Sequence, residues 1–109
     1  MTFQIPLLML IERNEFRIKF GHVKEALALW KEIFDSFQDM KDKPRIRILT
    51  DVTGPAYTIV LELQLRGFQD LGFKAYQWQT NPKAHELYKK VIPLCESAHK
   101  TLYTLEYEN

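Results

Sequence analysis

The chain has 109 residues and a mass of 13.0 kDa, with 46% hydrophobic and 27% charged residues, the make-up of one folded domain, 1–109, which excludes global disorder. Lys and Arg number 15 against 14 Asp and Glu, split nine to eight through Gly54 and six to six beyond it, which argues against a nucleic-acid partner because no basic excess or stripe is present. One cysteine, Cys95, excludes an internal disulfide framework and fits a reducing, cytoplasmic setting.

Residues 2–11 are apolar, yet they lack a basic leader and a small-residue cleavage site, so no signal peptide is expected. The run is also too short to span a membrane, which takes about 20 apolar residues, so no membrane partner is expected. Residues 7–19 predict a strand, with Leu8, Leu10, Phe16 and Ile18 on one parity and Arg13, Glu15, Arg17 and Lys19 on the other. Asn14 and Glu15 interrupt the apolar run and predict a bulge or bend. Gly21 breaks the extended pattern. Val23, Ala26, Leu27, Trp30, Ile33, Phe34 and Phe37 then follow helical spacing, and this helix is expected to end near Met40. Residues 45–52 alternate, Thr53-Gly54-Pro55 marks a turn, and residues 57–66 alternate again, which predicts an antiparallel hairpin. Tyr57 falls on the inward face of that second strand.

Phe68, Leu71, Ala75 and Trp78 give a short helical period weakened by Gly67 and Gly72. Asn81-Pro82 reads as an N-cap followed by proline at the first helical position. Ala84, Leu87, Tyr88, Val91, Leu94, Cys95 and Ala98 continue helically, with Pro93 expected to kink or restart the helix. Residues 100–108 alternate once more. The order β-α-β-β-α-β is that of an α+β, ferredoxin-like fold: a four-stranded antiparallel sheet with helices on one face. Apolar residues on both parities of the strands (Leu7, Met9, Ile11, Val60 and Leu102 beside the main stripes) predict an open sheet face that a second copy covers, making a homodimer.

The residues offer several readings for chemistry. Cys95 and His99 are four apart and would share a helix face, but two ligands without a third make a packed thiol and a helix-end histidine the ordinary outcome. His22 and His85 lie on other elements. Arg45 and Arg47 point the same way and can grip a carboxylate, or pair with Asp51 or Glu62 on a solvated face. Tyr57, Tyr103 and Tyr107 can line a pocket or simply pack in strands. The chain has no Gly-rich phosphate loop, GxSxG or HExxH motif, and no bound metal, haem or flavin is expected.

The element order resembles that of the dimeric α+β barrel superfamily, in which two ferredoxin-like protomers pack their open sheet faces together. More locally, Phe16-Arg17-Ile18-Lys19-Phe20-Gly21-His22 leading into the first helix is similar to small bacterial NIPSNAP-like proteins. So is Arg47-Ile48-Leu49-Thr50-Asp51-Val52-Thr53-Gly54-Pro55 leading into Tyr57-Thr58-Ile59-Val60-Leu61-Glu62. These segments carry no catalytic signature. The superfamily includes quinone-forming monooxygenases, haem-degrading enzymes and lactone isomerases, so the resemblance implies an architecture rather than a chemistry. Trp78 ahead of a helix bearing His85 is similar to haem-degrading relatives, although the flanking residues match no haem signature.

Two functions from different classes follow as expectations. One is a homodimeric protein that binds a small apolar or aromatic molecule between helices and sheet, with Trp78 and Tyr103 as candidate ligand contacts. The alternative is a cofactor-free monooxygenase or isomerase acting on a small aromatic or polyketide-like compound. There His85 or Tyr57 would handle a proton and Arg47 would orient an anionic group.

Overall fold

In the computed structural model, residues 9–40, 43–54, 56–68, 70 and 80–109 are described. The elements run β1 (Leu10–Ile18), α1 (Val23–Asp35), β2 (Arg45–Thr50), β3 (Thr58–Leu65), α2 (Pro82–Val91) and β4 (Cys95–Thr104), with a 3-10 turn at Ile92–Leu94. The four strands form one sheet in the order β2-β3-β1-β4, antiparallel throughout. This is the ferredoxin-like order.

Alternation along the central strands decides which face is dry. Leu10, Phe16 and Ile18 of β1 face the same way as Ile59, Leu61, Leu63 and Leu65 of β3. They form one buried cluster with Ala26, Trp30 and Ile33 of α1 and Ala84, Leu87 and Val91 of α2. Both helices therefore cover one face of the sheet. The amide group of Asn81 ties them together: its Oδ1 accepts from Ala84 N–H, capping α2, and its Nδ2 donates to Ser36 just past α1.

Several boundaries differ from the pattern reading. The bulge is not at Asn14–Glu15. Pairing runs unbroken from Leu10 to Arg17 on both sides of β1, because the Asn14 side chain is taken up on the helix side and Glu15 on the other. The irregularity falls between Arg17 and Ile18, where β4 carries Glu96 as an extra residue. Helix α1 closes at Asp35 rather than near Met40, and Phe37 stays buried in the turns that follow. Val52 lies beyond β2 and is 99% exposed. The helical spacing runs on to Ala98 in the sequence, but the helix stops at Val91. Pro93 cannot donate to a helix, and the Leu94 carbonyl accepts from Lys19 N–H instead, which commits the chain to the sheet from Cys95 onward. The last strand is accordingly Cys95–Thr104, not 100–108.

The β2–β3 connection is held by one side chain. Asp51 Oδ2 accepts from Ala56 N–H at 2.7 Å and Oδ1 from Thr58 N–H at 3.2 Å. Ala56 and Tyr57 both take left-handed backbone angles, φ 64 and 59. Tyr57 is thereby turned out of β3, and its half-exposed ring meets Phe20 edge-on. The short helical period expected from Phe68 through Trp78 falls almost entirely outside the described residues.

Candidate functional site

Two polar side chains interrupt the dry layer. Glu12 and Asn14 lie on the helix-facing side of β1 between Leu10 and Phe16, 5% and 6% exposed. Their cross-strand neighbours in β3 are Leu63 and Leu61. A buried carboxylate costs several kcal/mol unless it is paired. Here Lys100, on the edge strand β4, supplies the charge: its Nζ lies 2.8 Å from Glu12 Oε1, and its side chain stays 58% exposed. Asn14 Nδ2 donates to Glu12 Oε2 at 3.3 Å. This cluster is absent from the sequence reading. Its signal was present: Glu12 and Asn14 share the parity of Leu10, Phe16 and Ile18, so a regular strand had to bury them.

One step along the same face, Phe16 pairs with Ala98 and Ile18 with Cys95. A recess of about 230 Å³ opens there, between sheet and α2, bordered by Phe16, Tyr88, Val91, Ile92 and Ala98 and, along the start of β4, by Cys95, Glu96 and Ser97. Beneath it Trp30, 1% exposed, packs against Phe16, Phe34 and Tyr88 with ring centroids 5.2, 5.8 and 5.9 Å away. Its indole Nε1–H is buried with no acceptor among the described residues. Natural proteins leave few such groups unpaired.

Burial pushes the Cys95 thiol up, and the nearby Lys19 ammonium only partly opposes this. The thiol also donates to the Val91 carbonyl at 3.5 Å. That is the environment of a packed thiol, not of a thiolate nucleophile. Cys95 and His99 do not share a helix face. Both are in β4, and the extra residue Glu96 puts them on opposite faces, Cys95 beside Ile18 and His99 beside Glu15. His22 caps α1 by position and pairs with Glu25 through Nδ1 at 3.2 Å. Among the described residues no three His, Cys, Asp or Glu side chains gather in a way that could hold a metal ion.

His85, Tyr57 and Arg47 are not brought together. His85 is exposed on α2; Tyr57 is in the hairpin connection; Arg47 is on the helix-free face, ion-paired with Glu62. Arg47 does share a depression of about 300 Å³ with Arg45, Glu62 and Tyr103 on that face. Tyr103 is half exposed there, and Tyr107 is largely in solvent beyond β4. Trp78 lies outside the described residues. The helix-free face also holds a groove of about 600 Å³, with Val60 and Leu49 as its floor and Arg13, Arg17 and His99 on its walls. Arg13 pairs with Glu15 at 3.8 Å and Arg17 with Glu96 at 3.3 Å. No helix among the described residues is long and apolar enough to cross a membrane.

No family model matches the chain, and no curated protein matches it in sequence. Solved structures do match. A NIPSNAP family protein from Agrobacterium tumefaciens superposes with a TM-score of 0.78 at 15% identity, over 96% of this chain and 92% of that one. An uncharacterized NIPSNAP domain protein from Burkholderia xenovorans gives 0.72 at 17%, over 89% and 94%. A protein from Nitrosomonas europaea, provisionally assigned as an antibiotic biosynthesis monooxygenase, gives 0.74 at 14%, over 96% and 97%. The order β2-β3-β1-β4 with both helices on one face is thus the ferredoxin-like α+β fold of NIPSNAP family proteins and of this monooxygenase neighbour.

Proposed function

We propose that the chain works as a homodimer in which each protomer takes a small apolar or aromatic molecule between its helices and sheet. The observation that carries this reading is the polar cluster of Glu12 and Asn14 in an otherwise dry layer, with a mostly apolar recess further along β1 at Phe16. A protein selected for stability alone gains little by burying a carboxylate there, since an apolar residue of similar volume is often as stable or more so. Pockets that bind small molecules have this make-up, mostly apolar with a few placed polar groups. The binding uses no metal, haem or flavin. The single cysteine supports a cytoplasmic setting.

The dimer half of the reading rests on the helix-free face. The expected broad apolar surface is not there: Leu102 faces the helix side, and cross-strand rows on the open face alternate Arg47–Glu62–Arg13 with Leu49–Val60–Glu15. What supports pairing is the mixture itself. Charges of both signs flank Ile11, Leu49, Val60 and Tyr103, a composition that a two-fold copy can complement.

Titrating toluene, a bare ring, into isotope-labelled protein tests the binding half. Shifts confined to Phe16, Trp30, Tyr88 and Ala98 are expected; an absence of shifts at these residues contradicts the reading. A second reading, cofactor-free monooxygenase or isomerase chemistry, draws on the same buried carboxylate, which can accept a proton from a bound acid. Product formation from a bound ligand separates the two.

A further inference from the structure

A second recess, of about 260 Å³, lies between the end of α1 and the edge strand β2. Phe34 and Phe37 border it from the helix side, Ile46 and Ile48 from the strand. Phe37 is buried, and the other three are half-buried and packed against the core. Such apolar walls suit the body of a small molecule, and the volume falls just under that of sites for drug-sized ligands.

Four charged side chains border the same recess: Lys31 and Asp35 of α1, Lys43, and Arg45 at the start of β2. Lys43 is fixed in place, its Nζ donating to the Gln38 carbonyl at 3.1 Å and to Gln38 Oε1 at 2.6 Å. Both acceptors are neutral, so the ammonium keeps its charge and one of its three donors. Lys31 and Arg45 have no carboxylate partner among the described residues, whereas Arg13, Arg17 and Arg47 each have one. Arg45 also borders the Arg47 depression on the helix-free face, but neither Glu62 nor Glu108 there pairs with it. Three cations thus face one anion, Asp35, and none of the three is paired with it. Of the two arginines whose shared parity suggested a carboxylate grip, Arg47 is taken and Arg45 is open.

Each polar head group meets this rim differently. An ammonium adds a fourth cation and is repelled. A neutral amide finds donors but gains no charge assistance. A carboxylate accepts through about four lone-pair positions, which suits the Arg45 fork and the remaining Lys43 donor together. We infer that this recess takes a small carboxylate with a ring-sized apolar body. The body lies against Phe34, Ile46 and Ile48, and the head meets Lys43, Arg45 and Lys31.

The test titrates benzoate, benzamide and benzylammonium, one ring with three ends, into the isotope-labelled full chain at low salt. The methyl shifts of Ile46 and Ile48 are the readout. Benzoate is expected to move them and to bind about tenfold tighter than benzamide, with benzylammonium weakest. Lys31 and Arg45 are exposed, so the double variant Lys31→Gln, Arg45→Gln keeps the fold. In it the advantage of benzoate over benzamide falls below threefold, while Asp35→Asn raises it. The inference is overturned if benzoate leaves the two isoleucines unmoved, or if benzamide or benzylammonium binds as tightly. It is also overturned if the double variant keeps the full preference. None of these outcomes bears on the recess at Phe16, so the binding reading above stands or falls by its own titration.

Discussion

Trp30 sets a well-packed ring against an unpaired polar group at the scale of one residue. Among the described residues it is the largest fully buried side chain, it lies among three aromatic rings, and its N–H has no acceptor. Truncation to alanine is expected to cost about 3–5 kcal/mol in denaturant unfolding. Trp30→Phe keeps most of the ring contact and removes an unpaired donor, a group whose burial costs about 1–3 kcal/mol. Its loss is therefore expected to be under half that of alanine; equal losses would mean that the indole N–H has a partner. Cys95 gives a prediction in pH. Its thiol pKa is raised by burial, so the folded protein holds the proton more tightly than the unfolded chain, and any stability gained is lost as pH rises through the folded value. Alkylation at pH 8 is expected to be slower than for the unfolded chain, and equal rates would contradict this. The role of Trp30 was legible in helical spacing. The side of the sheet on which Cys95 lies was not, because an extra residue in β4 reverses the facing of everything before it.

Among the elements, α1, β2 and β3 were legible because their apolar spacing and their burial agree. The α2–β4 junction was not. Leu94, Cys95 and Ala98 continue a helical period, but Pro93 and the Leu94 carbonyl bonded to Lys19 make them the start of an edge strand. A period over so few residues cannot outweigh pairing with β1. The turn at Thr53-Gly54-Pro55 was legible as a turn, whereas the part played by Asp51 was not, since it depends on two backbone amides later in the chain. Asp51→Ala removes both acceptors from a connection that holds two non-glycine residues at positive φ. A loss of about 1–3 kcal/mol is expected from calorimetry, and an unchanged melting temperature would show that the loop holds itself. Asn81→Ala is expected to cost about 0.5–2 kcal/mol, because it uncaps α2 and frees it from Ser36.

For the molecule as a whole, the sheet separates two tasks. Its helix-free face carries the proposed dimer contact, and its helix-facing side the proposed binding site. Light scattering at micromolar concentration is expected to give twice the 13.0 kDa chain mass. Val60→Asp is expected to give the monomer with the fold intact, since Val60 is buried on the open face and lies outside the helix-side core. A monomeric wild type would overturn the dimer. The candidate site was only half legible: the architecture followed from element order, but Glu12 and Asn14 were passed over because a polar pair within an apolar parity reads as an interruption rather than as a buried cluster. The central claim, that this cluster is kept for binding and not for stability, comes down to the thermal unfolding of the double variant Glu12→Leu, Asn14→Leu. Removing both leaves Lys100 in solvent, so neither a buried charge nor a buried amide is orphaned. The double variant is predicted to melt at or above the wild-type temperature. A fall of more than about 8 °C, roughly 1–2 kcal/mol at this chain length, would contradict the account by making the cluster part of the fold's own support.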